Sequence, residues 1–132
     1  MRVVVNVDGG ARGNPGPAAA AAVLSSPDGE VLESRGELIG KATNNVAEYR
    51  AMLLGIELAK ARGADEVELI GDSELIVRQI RGEWKIKNEP LRELRSEVVK
   101  ALGDFDSWKV DNVPRERNEA ADALVNETLD AG

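Results

Sequence analysis

Valines 3, 5 and 7 alternate with Val4, Asn6 and Asp8 at the start of the chain, a period of two that predicts a β-strand from Arg2 to Asp8. Gly9-Gly10 and the stretch Gly13-Asn14-Pro15-Gly16-Pro17 predict a loop after it. Ala18 to Leu24 and Val31 to Ile39 read as two more strands, joined by a turn at Pro27-Asp28-Gly29. The alanine run also suits a helix on propensity alone, so its assignment as a strand rests on the turns that flank it. Three strands with short links predict an antiparallel meander.

From Asn45 to Arg62 the apolar period becomes that of a helix, closed by Gly63. Glu66 to Gly71 predicts a short strand and Ser73 to Ile80 a short helix ending near Gly82. Glu89 to Leu102, with Pro90 in its first turn, predicts a third helix. Trp108 to Val113 reads as the last strand, broken by Pro114, and Asn118 to about Leu129 as the last helix, with Asp130-Ala131-Gly132 fraying. Strands first, then strands alternating with helices, predict an α/β fold in a single domain over residues 1–132, one mixed sheet with helices packed on it.

Aromatic residues are only 3% of the chain, so this core is built from Val, Leu, Ile and Ala. No apolar run approaches the ~20 residues needed to span a bilayer. Met1-Arg2 leads straight into the first strand, and the expectation is a cytoplasmic protein that does not engage a membrane. With no cysteine there are no disulfides, thiolate nucleophiles or thiolate metal sites, and with no histidine there is no imidazole chemistry. The net charge of −7, from 17 basic and 24 acidic residues, argues by itself against a nucleic-acid partner, whose phosphates favour basic surfaces. Two bound divalent cations would offset four of those negative charges. The remaining acidity fits a salty intracellular environment or an ordinary acidic protein.

Four carboxylates stand where their neighbours would hold them at the edge of a buried surface: Asp8 in VVVNVDGG, Glu48 in TNNVAEYRA, Asp72 in ELIGDSEL and Asp122 in RERNEAADAL. Each has a plain alternative. Asp8 could be a strand-to-turn residue. Glu48 heads a stripe of Ala51, Met52, Gly55, Ile56 and Ala59 at helical spacing, yet it could equally be the N3 partner of Asn45 in a capping box. Asp72 could cap the helix that Ser73 opens, and Asp122 could be a solvated helix residue. Together the four come from two strand ends and two helix margins that could meet at one rim of a sheet. Carboxylates gathered there repel one another unless cations hold them, and all-oxygen ligand sets suit hard ions such as Mg2+. Two metal ions in such a cluster could activate water against a phosphodiester. Nothing supports a serine or cysteine nucleophile, and a glycosidase would need only two carboxylates.

The segments VDGGARGNPGPAA, TNNVAEYRAMLLGIELA, IGDSELIVRQIRGEWKIK and VPRERNEAADAL, in this order from Val3 to Leu124, resemble ribonuclease H of type 1. The resemblance implies a ribonuclease H-like five-stranded mixed sheet, its first three strands antiparallel, flanked by helices. It implies a hydrolase, an endonuclease that uses Mg2+, with Mn2+ as a possible substitute, to cut the RNA strand of an RNA–DNA hybrid and leave a 5′-phosphate and a 3′-hydroxyl. Asp8, Glu48, Asp72 and Asp122 match the family's metal-binding catalytic carboxylates. Asp8 would bridge two ions, Glu48 and Asp72 would hold the one near the leaving group, and Asp72 and Asp122 would flank the one that activates water. Asn14, Asn44 and Asn45 match positions beside the nucleic acid and Thr43 one associated with a DNA-strand phosphate, although Asn14 also fits a turn and Asn44 or Asn45 a helix cap.

The chain departs from the pattern in three places. Glu74 stands where a neutral amide often contacts RNA. Many members carry a histidine before the last helix, where this chain has Arg115-Glu116-Arg117; it resembles the histidine-lacking branch with its PRxxN pattern. Arg115 or Arg117 could attract phosphate, or face solvent, or pair with Glu119. The family's basic handle is reduced to Arg78, Arg81, Trp84, Lys85 and Lys87, with Trp84 expected slightly more to close the core than to pack a sugar. Double-stranded RNA then becomes a plausible further substrate, a non-catalytic hybrid-binding module is the rival reading, and a monomer is expected.

Overall fold

The computed structural model describes residues 1–132, and one five-stranded sheet organises them in the order β3-β2-β1-β4-β5. The strands are β1 (Arg2–Ala11), β2 (Gly16–Ser25), β3 (Val31–Ala42), β4 (Glu66–Gly71) and β5 (Ser107–Asn112). The helices are α1 (Asn44–Ala61), α2 (Glu74–Ile80), α3 (Glu89–Leu102) and α4 (Glu119–Ala131), with a 3-10 turn at Arg115–Arg117. β1–β2 and β2–β3 are antiparallel, whereas β1–β4 and β4–β5 are parallel, so β1 lies where the sheet changes sense. The mixed sheet expected from the chain's pattern is the one found.

The alternation in β1 sets the layers. Val3, Val5 and Val7 are fully buried in the main core, where the would-be side chain of Gly55 in α1 meets Val5, Val7 and Leu69. Each such burial contributes about 1.5–3 kcal/mol. The alanine run forms β2, and the sheet explains why. Ala20, Ala22 and Leu24 join the core on the α1 side, while Ala19 and Ala21 pack against Val125 of α4 on the other. With a helix on each face, small side chains let both layers approach, and tertiary packing overrides the helical propensity of alanine.

Several boundaries differ from expectation. Gly9 and Gly10 belong to β1, which runs on to Ala11 along β2. A side chain at Gly9 would drive its Cβ into the carbonyl oxygen of Ala47, so the bare backbone there admits the first turns of α1. The N-cap of α1 is Thr43, whose Oγ1 accepts from the Val46 amide at 3.2 Å, so the capping box of Asn45 with Glu48 does not form. The N-cap of α2 is Ser73 rather than Asp72. The C-terminus stays helical to Ala131 instead of fraying, with Asp130 paired to Arg12. Trp84 is 43% exposed, with the Arg78 guanidinium 5.2 Å from its ring centre, and does not close the core. No helix is long and apolar enough to cross a membrane.

The close approach at Gly9 makes a paired prediction. Gly9→Ala should lose about 3 kcal/mol or more by forcing α1 away from β1. Gly10→Ala, whose Cβ would meet only Val125 Cγ1 at 3.7 Å, should stay within about 1 kcal/mol of the parent. Denaturant melts of both variants check this, and equal losses would show that α1 does not depend on the contact.

Candidate active site

The parallel neighbour β4 pairs with β1 only as far as Asn6↔Ile70, so β1 continues past the end of β4 and leaves an open notch. Crevices at the carboxyl ends of parallel strands are where ligands bind in such sheets. Asp8 enters this notch from β1, Asp72 from the residue after β4, and Glu48 from the second turn of α1, held over the strand by the Gly9 contact. One carboxylate oxygen of each lies within 4.8 Å of the other two. Asp122, in the first turn of α4, lines the same cleft of about 480 Å³ but stands outside that trio.

Two of the trio are poorly solvated. Asp8 is 5% and Glu48 7% exposed. The Gly9 amide donates to Glu48 Oε1 at 2.9 Å, while Glu48 Oε2 is buried without a hydrogen-bond partner. Burial pushes the Asp8 carboxyl up to about 6; a hydrogen bond with Glu48 opposes this, and the charges of Asp72 and Asp122 add to it. Glu48 is driven well above the usual carboxylate range, first by burial and then by its contact with Asp8, against the pull of the Gly9 amide. The pair therefore favours a shared proton when no cation is present.

A divalent cation answers each of these features. The donor set is all oxygen, the three carboxylates are close enough to converge on one ion, and Glu48 offers an oxygen that no protein donor satisfies. Asp8, Glu48 and Asp72 can hold such an ion, with Asp122 lining the same cleft beside Asp8.

Around the cleft, Asn45, Asn44 and Arg115 line the walls beside the carboxylates. Asn14 Oδ1 accepts from the Asn44 amide at 3.0 Å, and Asn44 Oδ1 accepts from the Ala11 amide at 2.9 Å, which stitches the loop after β1 to the start of α1. Thr43 lies at the same helix start, its hydroxyl engaged as the cap. Arg115 and Arg117 form no ion pair, so the pairing with Glu119 is not found; Arg115 reaches the cleft and Arg117 is not among its lining residues.

The residue whose part was not foreseen is Asn118. It is 2% exposed, and its Nδ2 donates to the Val7 carbonyl at 2.9 Å and to Asp72 Oδ2 at 3.3 Å. Asn6 Nδ2 in turn donates to Asn118 Oδ1 at 3.0 Å. A polar side chain inside the valine-rich first strand, on the same face as Asp8, was the signal in the sequence.

A family model described as Reverse transcriptase-like matches residues 6–128. The crystal structure of RNase H1 from the halophilic archaeon Halobacterium salinarum NRC-1 superposes with a TM-score of 0.98 at 46% identity, covering 100% of both chains. The chain belongs to the ribonuclease H family. It is also similar to LC11-RNase H1 in complex with an RNA/DNA hybrid, at 39% identity and a TM-score of 0.92, covering 98% of this chain and 97% of that one. Among curated relatives it is 47% identical over 129 residues to ribonuclease HI of Halobacterium salinarum. That match takes in 98% of this chain but 65% of the relative, and the match to the bifunctional protein Rv2228c of Mycobacterium tuberculosis takes in 36% of it. The chain thus spans less than two thirds of these relatives.

The raised carboxyls set the pH dependence. A carboxyl whose folded pKa lies above its unfolded value contributes stability at low pH that is lost as the pH rises through the folded pKa. For Asp8 that loss runs from its ordinary value of 3.8 through about 6. Mg2+ should therefore raise the Tm far more at pH 8 than at pH 5, reflecting a stabilisation of up to about 2.7 kcal/mol at roughly 100 times the dissociation constant. Asp8→Asn should make the metal-free protein more stable at pH 8 and abolish most of the Mg2+ effect. Thermal melts at both pH values check this; a Mg2+ effect that is equal at both would count against the charged cluster.

Proposed function

We propose that the chain is a metal-dependent endoribonuclease that hydrolyses the RNA strand of RNA–DNA hybrids, leaving a 5′-phosphate and a 3′-hydroxyl. The observation that carries this reading is the convergence of Asp8, Glu48, Asp72 and Asp122 in one cleft with a buried carboxylate oxygen unsatisfied. A pure binding module would gain nothing from four carboxylates that repel phosphate. Bound divalent ions, Mg2+ by preference with Mn2+ as a substitute and two per site, would supply an acidified water and a counter-charge for the leaving oxygen.

The chain's own groups do the rest. Asp8, Glu48 and Asp72 hold the cation ligand set, and Asp122 lines the same cleft beside Asp8. Asn14 and Asn44 have their carbonyl oxygens engaged, which leaves their amide N–H groups to donate to a ribose 2′-OH or a phosphate oxygen. Asn45 adds a further amide on the cleft wall. The Thr43 oxygen accepts from Val46, and its hydroxyl hydrogen is left to donate to a phosphate. Arg115, unpaired at the cleft, can draw the scissile or departing phosphate by its charged fork.

A relaxed substrate range is the second reading, and one observation favours it. Arg78 pairs with Glu74 and Glu83, and Arg81 with Glu83 and Asp111, which leaves Lys85 and Lys87 as the unpaired cations of the small basic segment near Trp84 to grip DNA. Weak selection for the DNA strand would leave double-stranded RNA as a further substrate.

Labelled RNA–DNA hybrid, duplex RNA and duplex DNA incubated with Mg2+ or Mn2+ test the proposal. Cleavage confined to RNA strands is expected, and Asp8→Asn should abolish it while hybrid is retained; cleavage of duplex DNA or full activity in Asp8→Asn would reject it. Arg115→Ala should slow turnover by about 10- to 100-fold, the equivalent of ~1.5–3 kcal/mol for a hydrogen bond to a charged group. Arg117→Ala should slow it less, and unchanged kinetics in both variants would remove the arginines from the account.

A further inference from the structure

We infer that Asn6 is a positioning residue for the cation-binding carboxylates, acting through Asn118 on Asp72. Asn6 makes no hydrogen bond to any of the four carboxylates; its side-chain bond is to Asn118. It stands among valines in the middle of β1, where an amide needs a partner to offset the cost of leaving water. That partner is Asn118, at 3.0 Å.

The direction of the hydrogen bonds is fixed by elimination. The Val7 carbonyl can only accept, and so can an ionised Asp72 carboxylate. Both Nδ2 hydrogens of Asn118 are thereby used, at 2.9 and 3.3 Å, and its Oδ1 must turn the other way. Only a donor can meet that oxygen, and Asn6 Nδ2 is the donor present. Asn118 also accepts the Asp122 amide on its backbone oxygen at 3.1 Å. One buried amide thus ties together the segments that carry Asp8, Asp72 and Asp122, and Asn6 holds its orientation.

Loss of the Asn6 donor strands the Asn118 oxygen in a nearly dry setting. The amide then gains by turning toward water and releases Asp72, which the neighbouring negative charges push away from Asp8. Partners that orient the ligands of a metal typically control affinity by 10–100-fold, and Asn6 is one bond further out, so the low end of that range is expected.

The inference rests on the metal-dependent reading of the site, and the test separates the two. Metal-free full-length protein is titrated with Mn2+ by calorimetry in the parent, Asn6→Val, Asn118→Ala and the double variant, with a thermal melt of each. No Mn2+ binding by the parent defeats the metal reading and the inference with it. With parent binding established, Asn6→Val should weaken it about tenfold. Asn118→Ala should weaken it at least as much, and the double variant no further than Asn118→Ala. Binding by Asn6→Val within about twofold of the parent, or losses that multiply in the double variant, would overturn the relay. A variant that melts lower but binds Mn2+ like the parent assigns Asn6 to structure alone and also overturns it. If valine prevents folding, Asn6→Ala removes the same donor without branching at Cβ; failure of both to fold would make Asn6 a structural residue and reject the inference.

Discussion

Bringing the carboxylates of Asp8, Glu48 and Asp72 within 4.8 Å of one another, with Asp122 on the same cleft, sets like charges in a place that water reaches poorly. Everything near the notch is arranged around that repulsion. Gly9 lacks a side chain so that α1 can lower Glu48 onto the strand, and the Gly9 amide is the one donor Glu48 receives. Asn118 supplies Asp72 with an N–H from a residue that is itself nearly dry. The valine core beneath β1 contributes the stability that such a site removes. Without a cation the cluster relaxes by taking up a proton, which is why the two most buried carboxyls are both raised.

The acidity of the chain stands apart from this local design. Under the proposed function, a net charge of −7 means that a nucleic acid would be drawn by particular groups rather than by the overall field. Most of the arginines near the candidate substrate face are neutralised in pairs, such as Arg78 with Glu74 and Arg81 with Asp111. Arg115 is the exception at the cleft, and the amides of Asn14, Asn44 and Asn45 need no charge to read a ribose. Cations in the carboxylate cluster would turn the most negative point of the surface into one that accepts phosphate.

Much of this was legible in the sequence, and the reasons differ by element. The alternation of Val3, Val5 and Val7 fixed which face of β1 is buried, and the placement of Asp8 followed from it. Helical spacing from Glu48 to Ala59 identified the stripe that packs on the sheet, so the glutamate's burial could be read directly. Asp72 and Asp122 could not be told from a cap and a solvated residue until the chain was folded, because their convergence depends on where β4 ends and how α4 crosses the sheet. The capping of α1 went to Thr43 rather than Asn45, a choice between adjacent polar residues that backbone angles alone decide. Gly9-Gly10 was read as a loop because glycine usually interrupts a strand, yet here the absence of a side chain serves a close approach of helix to strand. Between packing a sugar and closing the core beneath the short helix, the sequence tips Trp84 slightly toward the core, but Arg78 gives its ring a partner at the surface instead.

Crystals grown with Mn2+ and measured at a wavelength where manganese scatters anomalously give the most direct test of the central claim. Manganese peaks in contact with Asp8, Glu48 and Asp72, with Glu48 Oε2 brought into the ligand set or its hydrogen-bonding network, are predicted. A cleft that stays free of manganese while its carboxylates keep their separation and share protons would contradict the account.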